Sequence, residues 1–311
     1  MEVEHTTDNL EPTDSILVAG GGLAGSLMTL YLAQRGYGVE VYESRGDLRE
    51  GGAAGGRSIN LALSARGLNA LRAVGLEERV RQLCIPMHGR MIHDIEGRTH
   101  LQPYGAQGQF INSVSRQLLN EILMDAAQEH ERVRFHFRKR CMGFTRATGS
   151  VRFKDLDTDE VTDVLPKVAI GADGAYSALR YRMQTTGGFQ YQQEFASHGY
   201  KELTIPPAED GTWRIEKNAL HIWPRQDFMM IALPNLDGSF TCTLFMAYEG
   251  GPESFAALQT PADVQHFFER WFPDSVEHLT RLTEEFFDNP TGSLVTIRCA
   301  PYHYDDKVLL I

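Results

Sequence analysis

The chain has 311 residues, 42% of them hydrophobic and 23% charged, enough to bury the core of one large domain or two closely joined ones. A net charge of −11 with no basic stripe to offset it excludes a nucleic-acid binder. Cys84, Cys141, Cys242 and Cys299 form no CxxC pair, which excludes a zinc site or a disulfide framework and fits free thiols in a reducing compartment.

The first 14 residues, MEVEHTTDNLEPTD, hold five acids and no Lys or Arg, the composition of a solvated, disordered tail rather than a targeting peptide. No window offers 18 apolar residues, so no transmembrane helix is expected. SILVAG (15–20) is an apolar run ending in glycines and predicts a buried strand. LAGSLMTLYLAQRG (23–36) has helical spacing, with Gly36 placed to end the helix. GVEVYE (38–43) alternates as a strand, completing a βαβ unit. The spacing predicts one helix over 66–83, a hairpin over 91–102 turning near Ile95–Gly97, and a helix over 116–130 following the strand FINSVS. VRFHFRKR (133–140) alternates as one strand, 150–164 reads as a hairpin, and LPKVAIGADG (165–174) as a strand entering a Gly-rich turn.

From about 185 the texture changes to consecutive strands: HGYKELTI, ALHIWPR, FMMIALPN and SFTCTLFMAY, the last two joined by a hairpin signal at Asp237-Gly238. PADVQHFFERWF and the segment after Asp274 read as helices, and strands return at SLVTIRC and KVLLI. A nucleotide-binding α/β portion is thus interrupted by an antiparallel portion.

Two stretches carry chemistry. VAGGGLAG places Gly20, Gly22 and Gly25 as GxGxxG between a strand and a helix, where glycines let backbone amides and a helix N-terminus approach a pyrophosphate. Glu43 ends the next strand and can accept from a ribose hydroxyl. Arg45 suits either the 2′-phosphate of NADP or the adenosine of FAD, so this motif alone leaves the dinucleotide open. IGADGAYSALR (170–180) follows a strand with Asp173 beside a glycine and Arg180 seven residues on, the form of a turn that approaches a cofactor. Read from composition alone, Arg90 is a surface arginine, Tyr104 a core tyrosine, and Leu220, Met229, Leu233 and Phe245 ordinary strand residues. His221 and Trp223 are read as structural groups rather than catalytic ones.

GxGxxG near the N-terminus followed by GADG…S…R resembles the class A flavoprotein aromatic hydroxylases. RSINLALSARG (57–67), PMHGRMIH (86–93), LQPYG (101–105), HGYKEL (198–203), LHIWPR (220–225) and IALPNLDGSFTCTLF (231–245) closely resemble the kynurenine 3-monooxygenase family within them, from about residue 15 to residue 311. The resemblance implies an α/β fold, a Rossmann-like FAD-binding domain with an inserted antiparallel β-sheet substrate domain. It implies a FAD-binding portion over 15–184, with part of the substrate site near 86–105, an antiparallel substrate domain over 185–291, and a return to the FAD-binding domain over 292–311. FAD would be bound, and NADPH, O2 and L-kynurenine would be the co-substrates and substrate. Hydroxylation at carbon 3 would proceed through a flavin hydroperoxide, with no catalytic side chain and no metal. By resemblance the cofactor residues are Gly20, Gly22, Ala24, Gly25, Tyr42, Glu43, Ser44, Arg45, Ala62, Arg116, Cys141 and Asp173, and the substrate residues are Arg90, Tyr104, Leu220, Met229, Leu233 and Phe245. Family members in eukaryotes are anchored in the mitochondrial outer membrane by a C-terminal segment, and bacterial ones are cytoplasmic. KVLLI would then be a buried strand entering a further flavin-binding segment past Ile311. Without that segment the chain is expected to bind FAD weakly or not at all and to show no turnover; an inactive fragment, or a class A hydroxylase of another aromatic substrate, is the alternative to the kynurenine reading.

Overall fold

The computed structural model describes residues 10–11, 13–50 and 60–311. Most of the acidic 1–14 stretch and residues 57–59 of RSINLALSARG lie outside them. The described chain separates into two compact units. One is drawn from Met1–Arg57, Gln117–Gln193 and Ile297–Ile311, the other from Ser58–Arg116 and Glu194–Thr296.

The first unit is built on a six-stranded sheet in the order His303–Tyr304, Val308–Leu310, Val168–Gly171, Ser15–Ala19, Gly38–Tyr42, Val133–His136. All pairings are parallel except the His303–Leu310 hairpin. Central parallel strands are covered on both faces, which is why SILVA reads as an apolar run, while the Val308–Leu310 strand near the sheet edge leaves Leu309 exposed. The Leu23–Ala33 helix connects the first two strands, and Gly36 follows it at φ +82°, where a side chain would be strained.

VRFHFRKR does not form one strand. Val133–His136 and Lys139–Phe144 are separate, and the chain turns at Arg138 with φ +61°. The Arg138 N–H donates to the Arg45 carbonyl, and the second strand joins an antiparallel sheet with Val151–Asp155 and Val161–Val164. Alternation persists through the turn, so periodicity alone could not locate it. The core of this unit gathers Leu17, Phe144, Phe153, Leu179, Met183 and Leu310.

The second unit carries a seven-stranded sheet in the order Gly292–Ala300, Gln190–Ile205, Phe240–Ala247, Met229–Pro234, Leu220–Pro224, Gly89–His93, Thr99–Pro103. Hairpins make most of its neighbours antiparallel, but Leu220–Pro224 pairs parallel with Gly89–His93. Those two strands come from distant parts of the chain, and only a long connection can set neighbours parallel. The Pro261–Trp271 and Leu282–Asp288 helices contribute Phe267, Phe268, Leu282 and Phe286 to the core on one face of this sheet, with Trp223, Met230, Phe240 and Leu244 from the strands. Thr260 and Asp263 form a reciprocal capping box ahead of Pro261, which fixes where the first of these helices begins.

The helix expected over 66–83 is two, Ala65–Ala73 and Glu77–Arg81, divided at Gly75 with φ +77°. A small sheet of Asn60–Leu63, Ile111–Ser115 and Ile85–Met87 completes the unit. Among the described residues no helix is long and apolar enough to cross a membrane.

Candidate functional site

In the first unit the glycine turn joins the Ser15–Ala19 strand to the Leu23–Ala33 helix, and its three glycines have different reasons to be glycine. Gly20 lies at φ +103°, and a Cβ there would come within 2.4 Å of the Ala172 carbonyl oxygen. A Cβ on Gly25 would lie 1.9 Å from the Gly20 oxygen, so this glycine lets the helix sit against the strand. Gly22 has ordinary backbone angles (φ −75°) and nothing within 4 Å of where its Cβ would be. Among the described residues its N–H meets no protein acceptor. Open space beside a free amide at a helix start is what an approaching phosphate needs.

Glu43 follows the Gly38–Tyr42 strand and is buried. Its two carboxylate oxygens accept from Gly21 N–H (2.7 Å), Arg45 N–H (2.8 Å), Arg45 Nε (3.0 Å) and Nη2 (3.3 Å), and Ser44 Oγ (3.3 Å). Burial pushes its carboxyl up, but the hydrogen bonds from Arg45 and Gly21 outweigh that and hold it below the usual carboxylate range. Glu43 therefore anchors the turn and Arg45. The Tyr42 ring stacks on Phe153 (4.0 Å) and His136 (4.5 Å), and burial pushes its hydroxyl up to about 12. What Tyr42 gives the turn is its carbonyl, which accepts from Gly20 N–H at 2.8 Å. Ala24 lies in the first turn of the helix.

The second cofactor motif closes on itself. Asp173 Oδ2 accepts from Ala178 N–H (2.8 Å), and Arg180 donates to the carbonyls of Gly174 (3.0 Å) and Ala175. Arg180 is thus a brace for the turn. Asp173 Oδ1 is buried and has no protein partner among the described residues. An orphaned carboxylate oxygen is costly to bury, and a cofactor hydroxyl would satisfy it. Burial pushes the Cys141 thiol up to about 12, with the nearby Asp173 charge adding to it, so Cys141 is an inert thiol beside this turn. The open place at Gly22 and the orphan at Asp173 both fit a dinucleotide.

In the second unit Arg90 lies in the Gly89–His93 strand and Tyr104 just after its hairpin partner Thr99–Pro103, and the guanidinium carbon lies 4.9 Å from the Tyr104 ring centroid. Among the described residues Arg90 has neither a carboxylate partner nor a side-chain hydrogen bond, and the Tyr104 hydroxyl is buried without a partner. Burial raises the Tyr104 hydroxyl, against the opposing pull of Arg90. A free, exposed guanidinium beside an unsatisfied phenol suits a carboxylate ligand.

Strand alternation separates the two faces of the seven-stranded sheet. Ala219, His221, Trp223, Met230, Ala232, Cys242 and Leu244 face the helical core and are buried. Leu220, Met229, Leu233 and Phe245 take the other face. Leu220 is in register with Arg90, and Met229 with Phe245. Met229 is 43% exposed and Leu220 and Phe245 half-buried, while Leu233 is buried. Leu233 is held at its strand end by polar contacts: Ser113 Oγ and Asn60 Nδ2 both donate to the Pro234 carbonyl at 2.9 Å. Ala62 is exposed on the Asn60–Leu63 strand, and Arg116 is exposed at the first position of its helix.

Behind Arg90 and Leu220, on the core side, lies a polar network that sequence reading treated as packing. His221 Nε2 donates to the Glu216 carbonyl (2.7 Å), and its Nδ1 lies 2.8 Å from His93 Nε2. His93 Nδ1 is 2.5 Å from Asp274 Oδ2, and Trp223 Nε1 donates to the same carboxylate (3.0 and 3.1 Å). The His93 and Trp223 rings stack at 4.0 Å. His221 and Trp223 are therefore satisfied structural groups, in keeping with the sequence reading, while His93 and Asp274 were missed. Nothing local marks them, because the four residues meet only through the fold.

A family model described as FAD binding domain matches residues 13–248. The kynurenine 3-monooxygenase of Myxococcus xanthus is 48% identical over 96% of this chain and 64% of its own length. That of Flavobacterium psychrophilum is 44% identical over 97% and 67%, and that of Sus scrofa 43% over 96% and 62%. The chain spans about two thirds of the length of these curated relatives. Among solved structures, the tetrameric form of 2-methyl-3-hydroxypyridine-5-carboxylic acid oxygenase superposes with a TM-score of 0.73 at 20% identity, over 96% of this chain and 74% of that one. PqsL from Pseudomonas aeruginosa gives 0.70 at 17% identity, over 97% and 78%.

Proposed function

The chain belongs to the kynurenine 3-monooxygenase family of FAD-binding proteins, and from that membership we propose that it serves the NADPH- and O2-dependent hydroxylation of L-kynurenine to 3-hydroxykynurenine, with FAD as cofactor. The observation that carries the reading is Arg90: a cation with no carboxylate partner among the described residues, beside a phenol unsatisfied among them, in register with Leu220. L-Kynurenine is an amino acid with an aryl ketone, and its carboxylate and ring call for that pairing of charge and apolar surface.

The residues divide the work. Gly22 N–H and the helix start would hold the pyrophosphate of FAD, Glu43 and Arg45 the adenosine end, and Asp173 Oδ1 a hydroxyl of the cofactor. When bound, FAD supplies the redox chemistry by which electrons from NADPH and one atom of O2 reach the aromatic ring. Arg90 grips the substrate carboxylate through two parallel N–H donors, and Tyr104 hydrogen-bonds beside it. Leu220, Met229, Leu233 and Phe245 set the plane of the ring and keep water from it. This clamp positions the substrate and takes no part in bond breaking.

Arg90→Ala tests the assignment. Losing a charge-assisted pair of about 1.5–3 kcal/mol should raise KM for kynurenine about 10- to 100-fold with a smaller change in kcat. An unchanged KM in steady-state assays would remove Arg90 from the site and the carboxylate argument with it.

A further inference from the structure

The helix Arg116–Gln128 buries Leu119, Ile122, Leu123, Met124, Ala126 and Ala127, and among them one amide, Asn120, at 4% exposure. Asn120 is poorly satisfied. Its Nδ2 donates to the Gly21 carbonyl at 3.0 Å, but its Oδ1 is buried with no protein partner among the described residues. The amide cannot be turned over to cure this, because Oδ1 would then face the Gly21 oxygen. Leucine would fill nearly the same volume without an orphaned acceptor, so packing does not explain the asparagine.

Its one good contact explains it. The Gly21 carbonyl also accepts from Ser26 Oγ (3.1 Å), a side chain that is itself fully buried, while Gly21 N–H donates to Glu43. In a planar trans peptide the C=O of Gly21 and the N–H of Gly22 point in opposite directions. Holding the carbonyl inward with two donors therefore turns the Gly22 N–H the opposite way, where no described residue accepts from it. A glycine-rich turn is otherwise the most easily rotated backbone in the chain.

We propose that Asn120 is a positioning residue for dinucleotide binding: with Ser26 it locks the Gly21–Gly22 peptide so that the Gly22 amide is presented to the cofactor pyrophosphate before the cofactor arrives. This deepens the FAD reading above and rests on it. Asn120 contributes pre-organisation and costs fold stability through its orphaned oxygen.

The experiment compares the chain with Asn120→Leu and Asn120→Asp by thermal denaturation and by titration with FAD, read by flavin fluorescence. Asn120→Leu should keep or raise Tm while weakening FAD binding about tenfold, the size of one misdirected charge-assisted hydrogen bond. Asn120→Asp should bind as weakly at pH 8 and recover toward the parent as the pH falls, because only a protonated carboxyl can donate to the Gly21 carbonyl. Affinity of Asn120→Leu within twofold of the parent, or a loss of affinity that merely follows a loss of Tm, overturns the role and leaves FAD binding standing. If the parent chain takes up no FAD, the FAD reading is what fails. Amide exchange of Gly21 in the free chain then decides the lock: at least tenfold faster exchange in Asn120→Leu supports it, and unchanged exchange overturns it.

Discussion

Gly22 and Gly25 are three residues apart and have opposite reasons to lack a side chain. At Gly25 the obstacle is protein, with the Gly20 oxygen 1.9 Å from any Cβ. At Gly22 no described residue stands within 4 Å, which leaves the room that the proposed pyrophosphate would take. Alanine at each position separates the two. Gly25→Ala forces the helix off the strand and should cost about 1–3 kcal/mol of stability as overpacking, with FAD affinity lost alongside. Gly22→Ala, at an ordinary φ, should leave Tm unchanged or slightly higher while weakening FAD binding at least tenfold. Parallel melting curves and flavin titrations check both, and a Gly22→Ala protein that binds FAD like the parent contradicts the placement of the pyrophosphate. The GxGxxG pattern was legible in the sequence, but this division of labour was not, because it depends on what packs against each α-carbon. Asn120 was invisible for a related reason: among helix residues an asparagine reads as a solvent-facing position, and only the fold sets it beneath Gly21.

At the scale of the element, the strands Gly89–His93 and Leu220–Pro224 carry the proposed substrate residues Arg90 and Leu220 on one side and a buried histidine each on the other. That arrangement sets the proposed substrate face against a buried hydrogen-bond network. Burial lowers the His221 pKa from 6.5 to about 4, with the Glu216 carbonyl and the Asp274 charge opposing that shift and His93 and His278 adding to it. The folded state therefore resists protonation more than the unfolded chain does. His221's contribution is complete above pH 6.5, declines as the pH falls from 6.5 toward 4, and is gone below that, about 3 kcal/mol in all. Asp274, held below the usual carboxylate range despite its burial by the His93 and Trp223 hydrogen bonds, adds its own loss at lower pH. Denaturant unfolding at a series of pH values should show stability falling with acid through this window, and His221→Asn should flatten the slope between pH 6.5 and 4. The same slope in both proteins would mean that His221 does not titrate on unfolding. Elements with one clear period were legible in the sequence, among them the hairpins and the Pro261–Trp271 helix. The misread ones were interrupted by a single left-handed residue, Gly75 or Arg138, that leaves the apolar pattern intact on either side. The parallel junction between Gly89–His93 and Leu220–Pro224 had no local signal, because it joins segments far apart in sequence.

For the molecule as a whole, the residues proposed for the cofactor (the glycine turn, Glu43 and Asp173) belong to one unit, and those proposed for the substrate (Arg90, Tyr104 and the sheet face with Leu220) belong to the other. The turn could be read from physical chemistry alone. Arg90 and the apolar wall could be read only through the family resemblance, since an exposed arginine and four strand residues carry no signature of their own. The structure adds a physical reason for Arg90, a cation without a carboxylate partner among the described residues, in register with Leu220 on a sheet face where Met229 stays exposed. The most direct test supplies the purified protein with FAD, NADPH, L-kynurenine and isotopically labelled O2, and analyses the products by mass spectrometry. The proposed function predicts 3-hydroxykynurenine carrying one labelled oxygen atom, with NADPH consumed in step, whereas the alternative of an inactive fragment predicts no turnover. NADPH oxidation that yields only hydrogen peroxide, or hydroxylation of other aromatic compounds but not of kynurenine, would contradict it.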